Sequence, residues 1–377
     1  MEMSSEMLQY IDDHSQEALD LLIQLAQIPA PSHQEQLRAE FCLNWLKAQG
    51  AQDAYIDDAL NVILPIGSVD AEDLAVFMAH SDVVFPDTTP LPLRLEDGKL
   101  YCPGVGDDTA NVVALLMTAK YILQQDLIPK NMGVLLVVNS CEEGLGNLKG
   151  CRRIMETFGT RIREFVTFDA GVFTVINDAV GSRRYRIEIK TEGGHSYSAF
   201  GNRNAIACMA DLIHDLYSVQ VPPIGKTTYN VGTVSGGTSV NTIAQQAEML
   251  YEFRSNKREA LQIMEDTFRK ILASHRAKGL DITVTTVGDR PCSGDVDPDA
   301  LEALSRRAVK AVARHFGHEA NYGAGSTDCN VPLSMGIPAI CVGCADGAGA
   351  HTREEFVYLD SLKPGLGLAF EMILHHF

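Results

Sequence analysis

Short, continuous apolar runs mark the first part of the chain, at residues 74–79, 133–138 and 165–168. Runs of this length predict strands that are buried on both faces. Between the first two runs, residues 109–124 carry apolar side chains at helical spacing and predict an amphipathic helix. This alternation of buried strands and helices predicts a mostly parallel sheet between layers of helices.

An earlier helix is predicted to begin just after Ser32. Ser32 and Glu35 have the spacing of a capping box at its start. Leu37, Phe41 and Trp45 then recur every four residues, which predicts that they form its buried face.

The pattern changes after Asp178. Residues 183–190 alternate strictly between apolar and charged side chains, which predicts a strand of an antiparallel sheet with one solvated face. The elements that follow are a helix at 203–218, strands at 227–234 and 246–254, a helix at 257–278 and a strand at 281–287. The first of these helices is predicted to bury Ile206, Met209, Ile213 and Leu216. The order β-α-β-β-α-β is that of the ferredoxin-like unit.

The alternation of helices and buried strands returns after residue 290. Asp297 and Pro298 predict a helix start, and residues 338–343 predict another buried strand. The expected fold class is therefore α/β, a mostly parallel sheet flanked by helices, with an inserted ferredoxin-like α+β domain. The predicted domains are 1–179 with 290–377, and the insertion 180–289.

Composition narrows the possible partners and location. Hydrophobic residues make up 46% of the 377 residues, so a sizeable core is expected. The net charge of -18 argues against nucleic acid as a partner. No stretch reaches the roughly 18 apolar residues that a membrane helix needs, so no membrane partner is expected. The N-terminal segment lacks signal-peptide features, and nine cysteines without disulfide-scaffold spacing fit a cytoplasmic location.

Five residues with metal-binding side chains follow predicted strands or turns, where distant parts of a sheet converge. They are His80, Asp107, Glu143, Asp169 and His351. Each alone would more often be a cap or a hydrogen-bonding group, but their agreement in type and placement favours a metal centre. Two imidazoles and three carboxylates suit a pair of zinc-like ions better than one ion.

Two further carboxylates belong with this set. Glu142, beside Glu143, is available for proton transfer to or from a water molecule. Asp82 lies two residues along a strand from His80 and therefore on the same face. It is predicted to accept the imidazole N–H and so fix the tautomer for ligation.

The motifs HSD, GDD, EEG, DAG and GAH occur in this order, and the chain resembles the M20 family of metallopeptidases over nearly its whole length. The resemblance implies a co-catalytic pair of divalent ions, usually zinc, although manganese or cobalt would also suit these ligands. It implies that Asp107 bridges the ions and that Glu142 is the general base. The remaining ligands would form two pairs, His80 with Asp169 and Glu143 with His351.

Three details of the GDD motif qualify the resemblance. A cis peptide bond is expected between Asp107 and Asp108. Thr109 stands where the family usually has Lys, and Cys102-Pro103-Gly104 stands where many members have Gly-Arg-Gly. These departures bear on the subfamily and not on the proposed ligands.

The inserted domain carries GGHSYSAFGNRNAI, which resembles the lid motif of the family. The resemblance implies that His195 reaches the active site of a partner subunit and stabilises an oxyanion there. It therefore implies a homodimer formed through the lid domain. Asn241, in SVNTIA, is a further candidate substrate contact.

Arg254 has two interpretations. Its guanidinium would hold a substrate carboxylate through two parallel hydrogen bonds, or it is a solvated charge on a strand face shared with Glu252. The family-like turn around residues 325–327 supplies three more candidates near the metals, Gly325, Ser326 and Thr327.

The sequence thus predicts a metal-dependent hydrolase of small amide substrates. The segment STDCNVPLSMGIPAICVG is closer to peptidase T-like members and favours a di- or tripeptide exopeptidase. Deacylation of N-acyl amino acids is the alternative reaction. A non-catalytic dimeric relative is the alternative of a different class, and the intact Glu142 speaks against it.

Overall fold

The computed structural model describes residues 3–67 and 70–377 of the chain. Two compact units are present, the larger formed by the chain up to Ala179 together with Gly294–Phe377, the smaller by Val180–Ser293. The helices are α1 (Ser5–Asp13), α2 (Ser15–Ala26), α3 (Gln36–Ala48), α4 (Ala110–Gln124), α5 (Lys149–Phe158), α6 (Ala205–Tyr217), α7 (Arg258–Ala277), α8 (Pro298–Phe316), α9 (Asn330–Ser334) and α10 (Leu359–Ile373). Within the described residues, no helix combines the length and apolar character that crossing a bilayer would require.

The strands, some of only two or three residues, are spread over both units. They are β1 (Tyr55–Ile56), β2 (Val62–Ile66), β3 (Leu74–His80), β4 (Arg94–Glu96), β5 (Lys99–Tyr101), β6 (Gly133–Asn139), β7 (Ile162–Thr167), β8 (Thr174–Ala179), β9 (Gly181–Lys190), β10 (Gly194–His195), β11 (Thr227–Gly236), β12 (Thr242–Ile243), β13 (Gln246–Ser255), β14 (Asp281–Arg290), β15 (Asn321–Gly325), β16 (Ala339–Cys341), β17 (Gly347–Ala348) and β18 (Phe356–Tyr358).

The larger unit is built on a sheet with the strand order β1-β2-β6-β3-β7-β16-β8-β15. Its central strands β6, β3, β7 and β16 run parallel to one another, while β2 and β8 run antiparallel to their central neighbours. A smaller antiparallel sheet has the order β17-β18-β5-β4. The predicted mostly parallel α/β architecture is confirmed.

Burial follows the apolar runs closely in the strands. Every residue of β3 and of β6 is buried, as the sequence predicted for strands covered on both faces. The amphipathic prediction for α4 is wrong, because residues 110–122 are all buried, including Thr118 and Lys120. The helix is covered by α2, α3 and α10 as well as by β3, so it has no solvated face.

The buried face of α3 is only partly the one predicted, because Phe41 and Trp45 are partly buried against the core but do not form its centre. Leu37 is 57% exposed, whereas Arg38, Cys42 and Leu46 are buried. The Arg38 guanidinium donates hydrogen bonds to the Ser81 carbonyl (2.9 Å) and to Thr109 Oγ1 (3.1 Å). These bonds fix the rotation of the helix, which the spacing of the large apolar residues does not reveal.

The capping box proposed for α3 is also wrong. The helix begins at Gln36, and the Ser32 hydroxyl donates to Asp82 Oδ2 (2.7 Å) instead of capping it. Glu35 Oε1 accepts from the backbone N–H of Cys141 (3.0 Å). Both side chains therefore tie this segment to loops at the end of the central strands.

The smaller unit has an antiparallel sheet in the order β11-β13-β9-β14, onto which α6 and α7 pack. The chain order β9-α6-β11-β13-α7-β14 is the one the sequence predicted. The buried face of α6 agrees with the prediction at Met209 and Leu216, but Ile206 is 46% exposed and Leu212 is buried instead. Asn204 caps the helix and Ala205 faces the sheet, so the buried stripe follows from position 205.

Two glycines let α10 approach its neighbours closely. A Cβ atom at Gly365 would lie 1.5 Å from the Cys344 carbonyl oxygen, and one at Gly367 would lie 2.5 Å from His315 Nδ1. The contact at Gly365 is with backbone, so no flexible side chain can move aside there.

We predict that Gly365→Ala lowers the free energy of unfolding by about 1–3 kcal/mol, the range typical of overpacking. Gly232→Ala is the matched control, because its Cβ would lie 3.8 Å from the nearest atom, and a change within about 0.5 kcal/mol is expected. Urea unfolding measures both variants. Equal effects of the two substitutions would contradict the close approach at Gly365.

Candidate metal centre

Neighbouring parallel strands deliver acidic and imidazole side chains to one edge of the large sheet. His80 is the last residue of β3, Glu142 and Glu143 follow the end of β6, and Asp169 follows the end of β7. All four side chains are buried. Because the carboxyl ends of parallel strands share an edge, residues far apart in sequence meet there.

The carboxylate of Asp107 lies between two imidazoles. Its Oδ1 is 3.1 Å from His80 Nε2, and its Oδ2 is 3.1 Å from His351 Nε2. His351 Nε2 is also 3.1 Å from Glu143 Oε1. The expected cis peptide bond between Asp107 and Asp108 is confirmed.

These donors fit divalent metal ions. The ligand atoms of His80, Asp107 and Glu143 lie within 4.8 Å of one another, as do those of His80, Asp108 and Asp169. Imidazole nitrogen and carboxylate oxygen are typical ligands of zinc and of neighbouring transition metals. The residues present therefore fit divalent metal ions in type and proximity; His80 belongs to both groups, and Asp108 stands in the second group where Asp107 was expected.

Burial and hydrogen bonding shift the pKa values of the cluster in opposite directions. Hydrogen bonds to Asp107 and Glu143 raise the pKa of His351 to about 10. Burial, followed by the charge of Asp107, raises the pKa of Asp169 to about 6. Burial opposes ionisation of Asp107 as well, but hydrogen bonds from His351 and His80 outweigh it and lower the pKa of Asp107.

Asp82 organises the turn that carries both glutamates. Its Oδ1 accepts from the backbone N–H of Glu142 (2.9 Å), and its Oδ2 accepts from that of Glu143 (3.0 Å). The predicted contact with His80 is longer: Nδ1 is 3.5 Å from Asp82 Oδ1 but 3.0 Å from the Asp82 backbone oxygen. The backbone carbonyl is thus the nearer acceptor of the imidazole N–H.

Glu355 holds the Asp107 loop and was missed in the sequence. Its Oε1 accepts from the backbone N–H groups of Gly106 and Asp107, and its Oε2 accepts from that of Gly104, each at 2.8 Å. Burial raises the pKa of this carboxyl to about 7. The only signal in the sequence is a pair of glutamates after His351, which does not indicate a partner loop about 250 positions earlier.

Asp108 and Arg38 form hydrogen bonds with residues that carry or adjoin the candidate ligands. Asp108 Oδ2 accepts from the backbone N–H of His80 (2.8 Å), and its Oδ1 accepts from the side-chain amide of Asn111. Burial lowers the pKa of the Arg38 guanidinium to about 10, so it stays charged at neutral pH. Thr109, the departure from the family pattern, receives one of the hydrogen bonds from Arg38.

A buried carboxyl group, Asp328, lies near the general-base candidate. Its Oδ2 accepts from Asn139 Nδ2 at 2.6 Å. Asp328 Oδ1 and Asn139 Oδ1 are buried and have no hydrogen-bond partner within residues 3–67 and 70–377. Burial, followed by the charge of Glu142, raises the pKa of Asp328 well above its usual range. The raised pKa favours the neutral form of Asp328, whose hydroxyl is a donor that a carboxylate lacks.

The turn at 325–327 is shaped by local contacts. Gly325 ends β15, and a Cβ there would lie 2.6 Å from Ile176. Thr327 is buried; its Oγ1 accepts from the backbone N–H of Cys329, and its own N–H donates to Asn330 Oδ1. Ser326 lies between them, in the same turn. The Thr327 hydroxyl therefore accepts a hydrogen bond at the start of α9.

In the smaller unit, His195 and Asn241 come together through short strands. His195, in β10, pairs with Thr242 in β12, and the Asn241 carbonyl accepts from the backbone N–H of Ser196 (3.0 Å). His195 is exposed, and its Nδ1 accepts from the backbone N–H of Tyr197 (3.2 Å). This bond places the ring proton on Nε2, which leaves Nε2 as a donor.

Arg254 lies on β13 with its guanidinium on a neighbouring carboxylate. Its Nε and Nη2 donate to the two oxygens of Glu252, at 2.9 and 3.1 Å. The two parallel hydrogen bonds proposed for a substrate carboxylate are thus made to Glu252, a residue of the same strand. This contact matches the solvated strand-face interpretation, and a substrate role would require Glu252 to be displaced.

A small cavity of about 140 Å³ borders the centre within the larger unit. Asp107 lines it together with Ala170, Ala345, Ala348 and Phe356. Most of these side chains are small or apolar. The cavity is of a size for a single side chain or acyl group.

Comparison with known proteins identifies relatives across nearly the whole chain. A family model described as peptidase family M20/M25/M40 matches residues 76–375. Acetylornithine deacetylase of Myxococcus xanthus is 24% identical over 330 residues, which are 82% of each chain.

Solved structures share the fold. A tripeptidase from Staphylococcus aureus has a TM-score of 0.74 at 20% identity and covers 95% of this chain and 97% of its own. The YXEP protein of Bacillus subtilis, described as a dinuclear metal-binding peptidase of family M20, has a TM-score of 0.65 at 18% identity, with 97% and 99% covered.

We predict that Asp328→Asn keeps the free energy of unfolding within about 0.5 kcal/mol, because an amide copies the donor and acceptor of a protonated carboxyl. Asp328→Ala should lose about 2 kcal/mol, since Asn139 then has an unsatisfied buried donor. Urea unfolding at neutral pH compares the two. An Asn variant as unstable as the Ala variant would mean that Asp328 is ionised.

Proposed function

The chain belongs to peptidase family M20/M25/M40, and on this basis we propose that it is an exopeptidase of dipeptides or tripeptides. The coarser statement, a metallo-hydrolase of the peptidase and deacylase type, follows from the family itself. The observation that carries the metal-dependent part of the proposal is the Asp107 carboxylate, whose two oxygens each face a different histidine.

We assign two divalent ions to the centre, with zinc expected and manganese or cobalt as alternatives. Asp107 would bridge them, and the remaining ligands would be His80 with Asp169 and Glu143 with His351. Bound there, such ions supply the Lewis acidity that lowers the pKa of a water molecule and polarises an amide carbonyl.

Glu142 is the residue that moves protons in this proposal. It is 6% exposed, and Asp82 fixes its backbone, so its carboxylate is held in a largely dry site beside Glu143. It takes a proton from the attacking water and passes it to the leaving amine nitrogen. Protonation of the nitrogen lets the carbon–nitrogen bond break.

His195 is the proposed oxyanion donor. Its Nε2–H is free to point away from the smaller unit, because Nδ1 is held by backbone N–H groups. We propose that it donates to the developing oxyanion in the active site of a second copy of the chain. Asn241, held next to it, is the neighbouring candidate for a substrate contact.

A homodimer through the smaller unit is part of this proposal. The strand β11 is an edge of its sheet and is mostly exposed over Thr227–Gly236. Tyr197, Phe200 and Val240, from loops of the same unit, are exposed by 89%, 91% and 102%. An exposed edge strand and apolar side chains of this kind favour pairing with another chain.

Deacylation of N-acyl amino acids is the second candidate function. The relative from Myxococcus xanthus is described as a deacetylase, and the cavity beside Asp107 would accept an acyl group as well as a side chain. Both reactions break an amide bond by the same proton transfers. The two reactions differ only in the group on the carbonyl side of the amide bond, which is an amino acid residue in a peptide and an acyl group in an N-acyl amino acid.

We expect the metal-loaded protein to hydrolyse dipeptides or tripeptides faster than N-acetyl or N-succinyl amino acids. The measurement is a substrate panel with zinc, manganese and cobalt in turn, read by amine release. Glu142→Gln should keep the metal content but lose about 100-fold or more of kcat, the contribution typical of a general base. Faster hydrolysis of the acylated substrates would favour the deacylase, and near-normal turnover of Glu142→Gln would remove that residue from the mechanism.

We also expect two inactive variants to complement each other. A purified heterodimer of one Glu142→Gln subunit and one His195→Ala subunit has one site that combines Glu142 with His195 from the other chain. It should recover roughly half of the wild-type kcat, because one of two symmetric sites is complete. The two parental homodimers are the controls. A heterodimer no more active than the His195→Ala homodimer would mean that His195 does not act across the dimer.

A further inference from the structure

The larger unit contains a second cleft at the opposite end of its sheet. The cleft has a volume of about 530 Å³ and follows one side of α8, above the beginnings of β7 and β16. Glu164, near the start of β7, lines it, whereas Asp169 follows the other end of that strand. Five residues of extended chain separate the two, on the order of 15 Å. A ligand in this cleft therefore does not occupy the metal centre.

The cleft concentrates positive charge in a chain whose net charge is -18. Its walls carry Arg163, Arg306, Arg307, Lys310 and Arg314. Four of these lie on α8, where residues 306 and 314 are two turns or about 12 Å apart. The charges thus form a row along a groove, which is longer than one monovalent anion.

The two carboxylates in the cleft are already neutralised. Glu164 accepts from Arg307 and lies 3.0 Å from His376 Nε2; Glu371 accepts from Arg314 and lies 3.0 Å from His315 Nε2. Burial opposes ionisation of Glu164, but the hydrogen bond to His376 and the charge of Arg307 lower its pKa to about 2.

These paired carboxylates orient guanidinium groups at the wall of the cleft. Within the described residues, Arg307 Nε is buried and has no hydrogen-bond partner.

The other cations are available to a ligand. No hydrogen bond or ion pair involves Lys310 within the described part of the chain. Arg163 pairs with Asp73 and Arg306 pairs with Glu302, but these pairs are solvent-exposed. Exposed pairs are weak and screened by salt, so a multiply charged anion competes with them.

We propose that this cleft binds a small organic anion with two or more phosphate or carboxylate groups. The volume lies within the range of small-molecule sites, about 300–1,000 Å³. Arginine side chains suit such groups because each guanidinium donates two parallel hydrogen bonds to an oxyanion. A nucleic acid does not fit, because the rest of this acidic chain would repel a long polyanion.

Calorimetric titration of the metal-loaded, full-length protein tests the proposal at fixed ionic strength. Pyrophosphate and citrate are the probes for the phosphate and carboxylate forms, and acetate is the monovalent comparison. We expect one of the two polyanions to bind and acetate not to bind. Lys310→Glu should weaken that binding about tenfold or more, because it replaces an attraction with a repulsion in the groove.

Lys47→Glu is the matched control, since Lys47 is also an exposed lysine on a helix of the same unit. It makes the same change in net charge but lies outside the cleft, and it should leave the affinity within about twofold. Both probes also chelate metals, so binding at the metal centre would persist in Lys310→Glu. The proposal would be overturned if polyanion binding persisted in Lys310→Glu or if both variants lost affinity equally. It would also be overturned if neither polyanion bound the wild-type protein.

Discussion

Repulsion among buried carboxylates is the constraint on which the rest of this structure depends. Six acidic side chains meet at one edge of the large sheet, namely Asp82, Asp107, Asp108, Glu142, Glu143 and Asp169, and five of them are among the buried residues. Charge at this density is unstable away from water unless cations, protons or hydrogen-bond donors compensate it. The fold supplies all three, through the fixed charge of Arg38, the imidazoles of His80 and His351, and the backbone N–H groups of two loops. Divalent ions would complete the compensation at the ligands themselves.

The backbone donors also set the geometry of the centre. Asp82 gathers the N–H groups of Glu142 and Glu143, and Glu355 gathers those of the Asp107 loop. Each carboxylate therefore positions a candidate ligand or the general-base candidate through its backbone. Such outer contacts orient metal ligands and are often as necessary as the ligands themselves. Asp328 follows another route, because burial and the charge of Glu142 raise its pKa and so favour its neutral form.

The errors of the sequence predictions share one physical cause. Continuous apolar runs identified the strands β3 and β6, and periodic spacing identified the helix α4 and the chain order of elements in the smaller unit. It misplaced the centre of the buried face of α3, since it gave weight to Leu37 and none to the buried Arg38. It made α4 amphipathic, because one chain does not show how many neighbours will cover a helix. It assigned Ser32 to a helix cap, although its hydroxyl serves Asp82 fifty positions away.

The sequence by itself determined the architecture and the identity of the candidate ligands. The period of apolar residues, the residue types and the placement of polar groups after apolar runs are local properties, so they are visible in the sequence alone. Only the tertiary structure decided which atoms face each other. It set each oxygen of Asp107 against a different histidine, bound Arg254 to Glu252, and joined Glu355 to a loop about 250 positions earlier. It also gathered five cations into one cleft on an acidic chain. Contacts of this kind depend on helix rotation and loop closure, which no local pattern encodes.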